Sequence, residues 1–259
     1  MFFQLTNEQK MVRTMVREFS RKVIAATAME RDKTKEFPAD NLKKMGELGL
    51  MGMLIPPEYN GEGADTISYV LALSEIAYSC ASTAVVMSVH NSIVCESLLK
   101  FGSEKQKKKY LPKLADGDMI GAFALTEPHA GSDPVAQTTI AEREGDHYVL
   151  NGTKCFITSG KNSGMVIVTA KTDPAAKHKG ISAFIVDKGT PGLKIGEPED
   201  KMGLRASDTT DLIFEDCKVP VENRLGEEGE GFMMAMTGLD CGRIGIAAQS
   251  VGVAEAALD

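Results

Sequence analysis

The apolar period of this chain changes twice, which constrains its fold more than any other feature. Up to about residue 118, apolar residues recur every three to four positions. From there to about 228 they gather in short β-prone runs separated by turn residues, and from Gly231 the helical period returns. Helices and strands in separate blocks point to separate domains, not to alternating strand–helix units around a parallel sheet. The expected class is α+β multidomain. It has an N-terminal all-α helical domain (1-118), a middle antiparallel β-sandwich or barrel domain (119-228), and the first helix of a C-terminal helical bundle (229-259).

Local chemistry supports the first block. Thr6 and Gln9 have capping-box spacing, as do Ser103 and Gln106. Met11, Met15, Val16, Phe19 and Val23 follow the first box at helical spacing, which predicts one apolar face. Pro38 can open a second helix and Gly49 can close it. Residues 67–78 and 82–100 read as two buried helices, with Gly102 as a left-handed stop. In the middle block, strands are expected at 120–127, 138–143, 148–150, 154–158, 166–171, 182–187 and 211–214. Asn151-Gly152 reads as a hairpin turn. In the last block Phe232, Met236, Leu239, Ala247, Val251 and Leu258 lie near one side of a helix with no stop before Asp259. That suggests packing partners outside these residues.

Composition narrows the function. The 259 residues are 43% hydrophobic and 25% charged, which is globular. A net charge of −7 argues against nucleic acid, because phosphate binding needs a basic face. The five cysteines form no C-x-x-C pair, so free, mostly buried thiols in a reducing compartment are expected, not a disulfide framework or zinc site. The four histidines show no metal-ligand spacing, and Lys105, Lys107, Lys108 and Lys109 read as a solvated face. His90 reads as packing. The N-terminus lacks a basic region followed by an apolar core, and no window approaches ~18 apolar residues. A cytoplasmic protein without membrane insertion is the expectation.

The most informative run is Phe123-Ala-Leu-Thr-Glu-Pro-His-Ala-Gly131-Ser132-Asp133. A strand ends in Thr-Glu-Pro and the chain must then turn. Gly131 allows backbone to lie close to a ligand, and Ser132 offers a hydroxyl and an N–H. On local physics alone this is equally a ligand cradle or an ordinary turn.

The run is very similar to the signature of acyl-CoA dehydrogenases. Further stretches resemble the same family in the same order: Asn151-Gly-Thr-Lys-Cys-Phe156-Ile157-Thr158, Lys201-Met-Gly-Leu-Arg205 through Asp208, and Gly238-Leu-Asp240-Cys-Gly242-Arg243. The last of these resembles the short-chain, butyryl-CoA dehydrogenase-like branch. The resemblance implies FAD, with Phe123, Leu125, Thr126, Gly131, Ser132, Phe156, Ile157 and Thr158 lining the flavin. It also implies that Ser132, Asp240 and Arg243 meet the acyl-CoA. For Arg243, an intrahelical pair with Asp240 stands beside that role. Many members carry Trp where this chain has Phe156, and this chain has no Trp at all. Some branches hold the catalytic Glu at the position of Gly242; in the short-chain branch it lies on a later helix. No catalytic residue is therefore expected among these 259, and Arg205 is expected to pair with an acid of the β-domain. The implied reaction is α,β-dehydrogenation of an acyl-CoA, with electrons leaving to an electron-transfer flavoprotein, in a homotetramer. A non-catalytic flavin- or CoA-binding homologue and an acyl-CoA oxidase-like relative are the alternatives.

Overall fold

In a computed structural model of the chain, which describes residues 4–259, both changes of period become changes of architecture. Residues 1–3, part of the stretch read above for a targeting signal, lie outside the described residues. Helix α1 (Asn7–Phe19) runs through a π-helical turn at Ser20–Ile24 into α2 (Ala25–Thr34). After α3 (Ala39–Glu47) come α4 (Thr66–Ser79), α5 (Ala81–Val89), a second π-helical turn at His90–Cys95, α6 (Glu96–Phe101) and α7 (Glu104–Ala115). The helix expected over 82–100 is thus one rod interrupted by a π-turn.

Both capping boxes form as expected. The Gln9 amide donates to the Thr6 hydroxyl at 3.1 Å, and the Gln106 amide to the Ser103 hydroxyl at 3.3 Å. Each glutamine also reaches another element. The Gln9 carboxamide donates to Asp65, the N-cap of α4, and that of Gln106 to the carbonyls of Glu222 and Arg224. Gly49 is left-handed at φ 73°, as a helix stop should be. Gly102 is not: its backbone is extended, and a Cβ there would lie 2.5 Å from the Leu98 carbonyl oxygen. Close approach requires that glycine, not a positive φ.

The β-domain is one eight-stranded sheet, ordered β6-β7-β3-β2-β4-β5-β8, with β1 joined to β4. The strands are β1 (Gly121–Ala124), β2 (Ile140–Glu144), β3 (His147–Thr158), β4 (Met165–Lys171), β5 (Ile181–Asp187), β6 (Leu193–Ile195), β7 (Thr209–Pro220) and β8 (Arg224–Leu225). Most pairings are antiparallel, as expected, but β1 runs parallel to β4. Asn151-Gly152 is no hairpin. Strand β3 continues through it, with a register shift against β7 between Leu150 and Gly152. A Cβ on Gly152 would lie 2.4 Å from the Thr139 hydroxyl, so tight packing of β3 against the residue before β2 selects glycine. Burial of Tyr148, Leu150, Phe184 and Phe214 forms the inner core of the sheet, each large side chain contributing about 1.5–3 kcal/mol. A second cluster, including Val94, Leu98, Leu114, Ile167 and Met234, joins the helical and β-domains.

Helix α8 (Gly231–Leu258) returns to pack on α4 and α5. Along most of its length it turns small residues inward. Gly238, Gly245, Ala248 and Gly252 face inward, whereas Val251 and Leu258 are exposed. The reason is distance. A Cβ at Gly252 would lie 2.2 Å from the Ser74 carbonyl oxygen, so the helices pack backbone to backbone. Four cysteines are buried and free, and Cys241 is half-buried and free. Among the described residues, no helix is long and apolar enough to cross a membrane.

Candidate functional site

Strand β1 delivers the chain to a loop that leaves the sheet at Leu125 and returns to it at Ile140. Glu127 and Ala130 exchange backbone hydrogen bonds of 3.1 and 3.0 Å, forming a tight turn. Gly131 and Ser132 follow, both exposed. A Cβ on Gly131 would meet nothing within 4 Å, and its φ is not positive. Neither internal packing nor backbone conformation explains this glycine, so the open space beside it suits something outside the chain. Asp133 then accepts from the Val135 amide and turns the chain back.

Strand β3 supplies the second half of the site. Its ladder with β7 shifts register between Lys154 and Ile157, which re-aims the residue at the irregularity. Phe156 there has φ 59° and is 63% exposed. A bulky side chain in the left-handed region carries a cost of about 1–3 kcal/mol that its own packing does not repay. Ile157 is buried beside it and Thr158 is half-buried. The following turn is fixed by Asp208. Its carboxylate accepts from the Lys161 and Asn162 amides at 2.8 and 3.0 Å, and its carbonyl accepts from the Ser159 amide.

Two interactions that motif reading did not anticipate bring these halves together. The Cys155 amide donates to the Thr126 carbonyl at 2.9 Å. Lys154, fully buried, pairs with the buried Glu127 at 2.8 Å. The Lys154 ammonium also donates to the Leu125 carbonyl, the Gln137 carboxamide oxygen and the Thr169 hydroxyl. Glu127 accepts from the Thr138 and Thr139 amides at 2.5 and 3.1 Å. Burial by itself would raise the Glu127 pKa. The Lys154 charge and the hydrogen bonds outweigh it and hold the carboxyl down at about 2. Burial pulls Lys154 below the ordinary lysine range. It faces a carboxylate and three neutral oxygens, and an ammonium donates to three of these four where a neutral amine donates to two, so we take the pair as ionic at neutral pH. The available clue was a lysine at an inward-facing strand position between Leu150 and Ile157, which demands a buried acceptor.

Phe123, Leu125, Thr126, Gly131, Ser132, Phe156, Ile157 and Thr158 therefore lie on two segments that hydrogen bonds join directly. Asp240 and Arg243 lie elsewhere, on α8. They are exposed and ion-paired with each other, as the intrahelical reading expects. Arg243 also lines an apolar hollow of about 280 Å³ between α5 and α8, with Val85, Val89, Ile93, Gly242 and Ile246. Arg205 does not pair with a β-domain acid: its guanidinium donates to the Lys201 carbonyl, and its amide to Asp32 of the helical domain. The charge run at 105–109 is tied down in part, through Lys105–Glu222, Lys107–Glu104 and Lys109–Asp187. A roomier hollow of about 640 Å³ lies on α1, around Met11, Met15, Phe19 and Leu48, and includes none of the loop or β3 residues. Volume alone is a poor guide here; strain, exposure and unexplained glycine mark the loop and β3.

Sequence profiles of the acyl-CoA dehydrogenase N-terminal and middle domains match residues 6–118 and 122–217. The chain is 51% identical over its whole length to a short-chain-specific acyl-CoA dehydrogenase of Clostridium acetobutylicum, and spans 68% of that protein. Its fold superposes on butyryl-CoA dehydrogenase from Megasphaera elsdenii with a TM-score of 0.96 at 44% identity, covering all of this chain and 68% of that one. A chain from structural work on the electron transferring flavoprotein of Acidaminococcus fermentans gives a TM-score of 0.98 at 49% identity, with the same coverage. Against mammalian mitochondrial short-chain relatives, the chain spans 62% of their length. With both domain profiles matched in order and half of its residues identical to such a relative, this chain belongs to the acyl-CoA dehydrogenase family.

Proposed function

We propose that this chain forms the FAD cradle and part of the acyl-CoA site of an enzyme that converts short-chain acyl-CoA thioesters to 2-enoyl-CoA. One observation carries the reading. A strained, exposed aromatic, Phe156, stands on a strand bonded directly to a loop whose Gly131 faces open space. These residues fit a flavin. Phe156 offers a face to cover a planar ring, Thr126, Ser132 and Thr158 offer hydroxyls, and Phe123 and Leu125 supply apolar lining, while the Ile157 side chain is buried in the sheet core and offers only its backbone. A flavin held by these residues would supply a hydride acceptor for the substrate's β-hydrogen.

The chain's own residues then orient the substrate and exclude water. Ser132 is proposed to meet the acyl-CoA. Asp240 and Arg243 are proposed to sit at its pantetheine end, Arg243 as an anion or amide partner. Removal of the α-proton needs a carboxylate and hydrogen bonds to the thioester carbonyl, which are worth several kcal/mol as in an oxyanion hole. Gly242 offers no carboxylate, so the base is proposed to come from outside these residues. The exposed apolar residues of α8, such as Val251 and Leu258, support further helices packing there. An electron-transfer flavoprotein as acceptor, a homotetramer and a cytoplasmic location belong to the same proposal.

The test is anaerobic titration of the purified full-length protein with butyryl-CoA, following flavin absorbance. Bleaching of bound flavin is expected. A yellow protein that stays oxidised would support a second reading, a non-catalytic flavin- and CoA-binding homologue. A protein that retains no flavin would overturn both.

A further inference from the structure

Lys154 is a costly residue in its position. An ammonium taken from water into a strand interior is strongly destabilising unless well paired, and apolar replacements of buried ion pairs are often neutral or stabilising. Stability alone therefore does not account for Lys154, which is fully buried. Its partners instead define a boundary. Leu125 and Glu127 stand at the beginning of the loop, Gln137 at its end, and Thr169 on β4. Glu127 reaches across the same gap to the Thr138 and Thr139 amides. Between these ends, residues 128–136 are largely exposed, and their bonds are mostly to near neighbours in the loop. Ordering such residues costs backbone entropy, so the loop's shape must be imposed at its base.

We infer that the Lys154–Glu127 pair is a positioning device that pins both ends of the 127–139 loop and so sets Gly131 and Ser132 against Phe156–Thr158. Neither residue is assigned contact with substrate; both act through the loop. The inference rests on the flavin reading of that loop. It goes beyond it in assigning the loop's geometry to one buried charge pair.

The experiment compares wild type, Lys154→Met and the double variant Lys154→Met/Glu127→Gln of the full-length protein. It measures amide hydrogen exchange without flavin, FAD affinity by fluorescence quenching, and melting temperature. In Lys154→Met, exchange across residues 126–139 should rise about ten-fold or more while β4 and β5 stay protected. FAD affinity should fall about ten-fold or more. The double variant leaves no unpaired buried charge, so its melting temperature should return toward wild type while loop exchange and FAD affinity remain impaired. Unchanged loop exchange in Lys154→Met would overturn the inference. So would recovery of loop exchange in parallel with melting temperature in the double variant, which marks an ordinary core pair. Should wild type bind no FAD, the flavin reading fails, and the exchange comparison still decides whether the pair pins the loop.

Discussion

The base of the 127–139 loop and the junction between α7 and β1 are each held by one buried basic side chain, in opposite charge states. Lys154 meets a carboxylate and three further oxygens. His90, equally buried, meets one acceptor and one donor: its Nε2 lies 3.1 Å from the Leu114 carbonyl oxygen, and its Nδ1 accepts from the Gly121 amide at 3.2 Å. Only the neutral tautomer with its proton on Nε2 satisfies both partners. Burial pushes the His90 pKa down to about 4, and a second proton would face an N–H. A buried basic group thus keeps its charge where the fold surrounds it with acceptors. It loses that charge where a backbone donor occupies one side.

The comparison breaks most severely if one side of the ionic clamp is removed. Glu127→Leu strands the Lys154 ammonium and should cost about 3–5 kcal/mol in denaturant unfolding. A loss below about 1 kcal/mol would mean that Lys154 is already neutral. The junction should respond to pH next most strongly. The folded pKa of His90 is depressed below its unfolded value near 6.5, so its contribution is fully present above that value and is lost as pH falls toward 4. Unfolding free energy should drop by about 3 kcal/mol through that window, and His90→Phe should abolish the slope there. Glu127 acts lower: its contribution is present above about 4.5 and is lost as pH falls toward 2. Gly152→Ala should cost about 1–3 kcal/mol, because its Cβ meets Thr139, which donates its amide to Glu127. Smallest is the N-terminal cap of α7, at the far end of that helix from the junction. Ser103→Ala should lower stability by about 1 kcal/mol. Gln106→Ala should exceed it, because Gln106 also bonds the carbonyls of Glu222 and Arg224.

How far the sequence could be read depended on the distance over which each feature is decided. Both capping boxes were legible because donor and acceptor lie three residues apart. The flavin-lining candidates were named through resemblance to family motifs, which are short stretches of sequence. The reach of Gln9 to Asp65 was not, since it spans 56 residues. Lys154 and Glu127, 27 residues apart, were visible only as members of separate motifs. Asn151-Gly152 misled because the pair has the composition of a hairpin turn, whereas its glycine is demanded by Thr139 across the sheet. The inward small-residue face of α8 was not legible because side-chain hydrophobicity says nothing about how closely two backbones approach.

Local composition and periodicity by themselves determined the order of helical and β-domains and the caps, whereas the two candidate runs were singled out by family resemblance. The domain order and the caps are set by backbone propensity and by hydrogen bonds within a few residues. Tertiary structure alone decided the rest: the parallel pairing of β1 with β4, the small-residue face of α8, the neutral His90, and the buried pair beneath the loop. Each depends on register or burial between residues far apart in the chain, and the free energy of a charge or a missing Cβ exists only once its neighbours are in place.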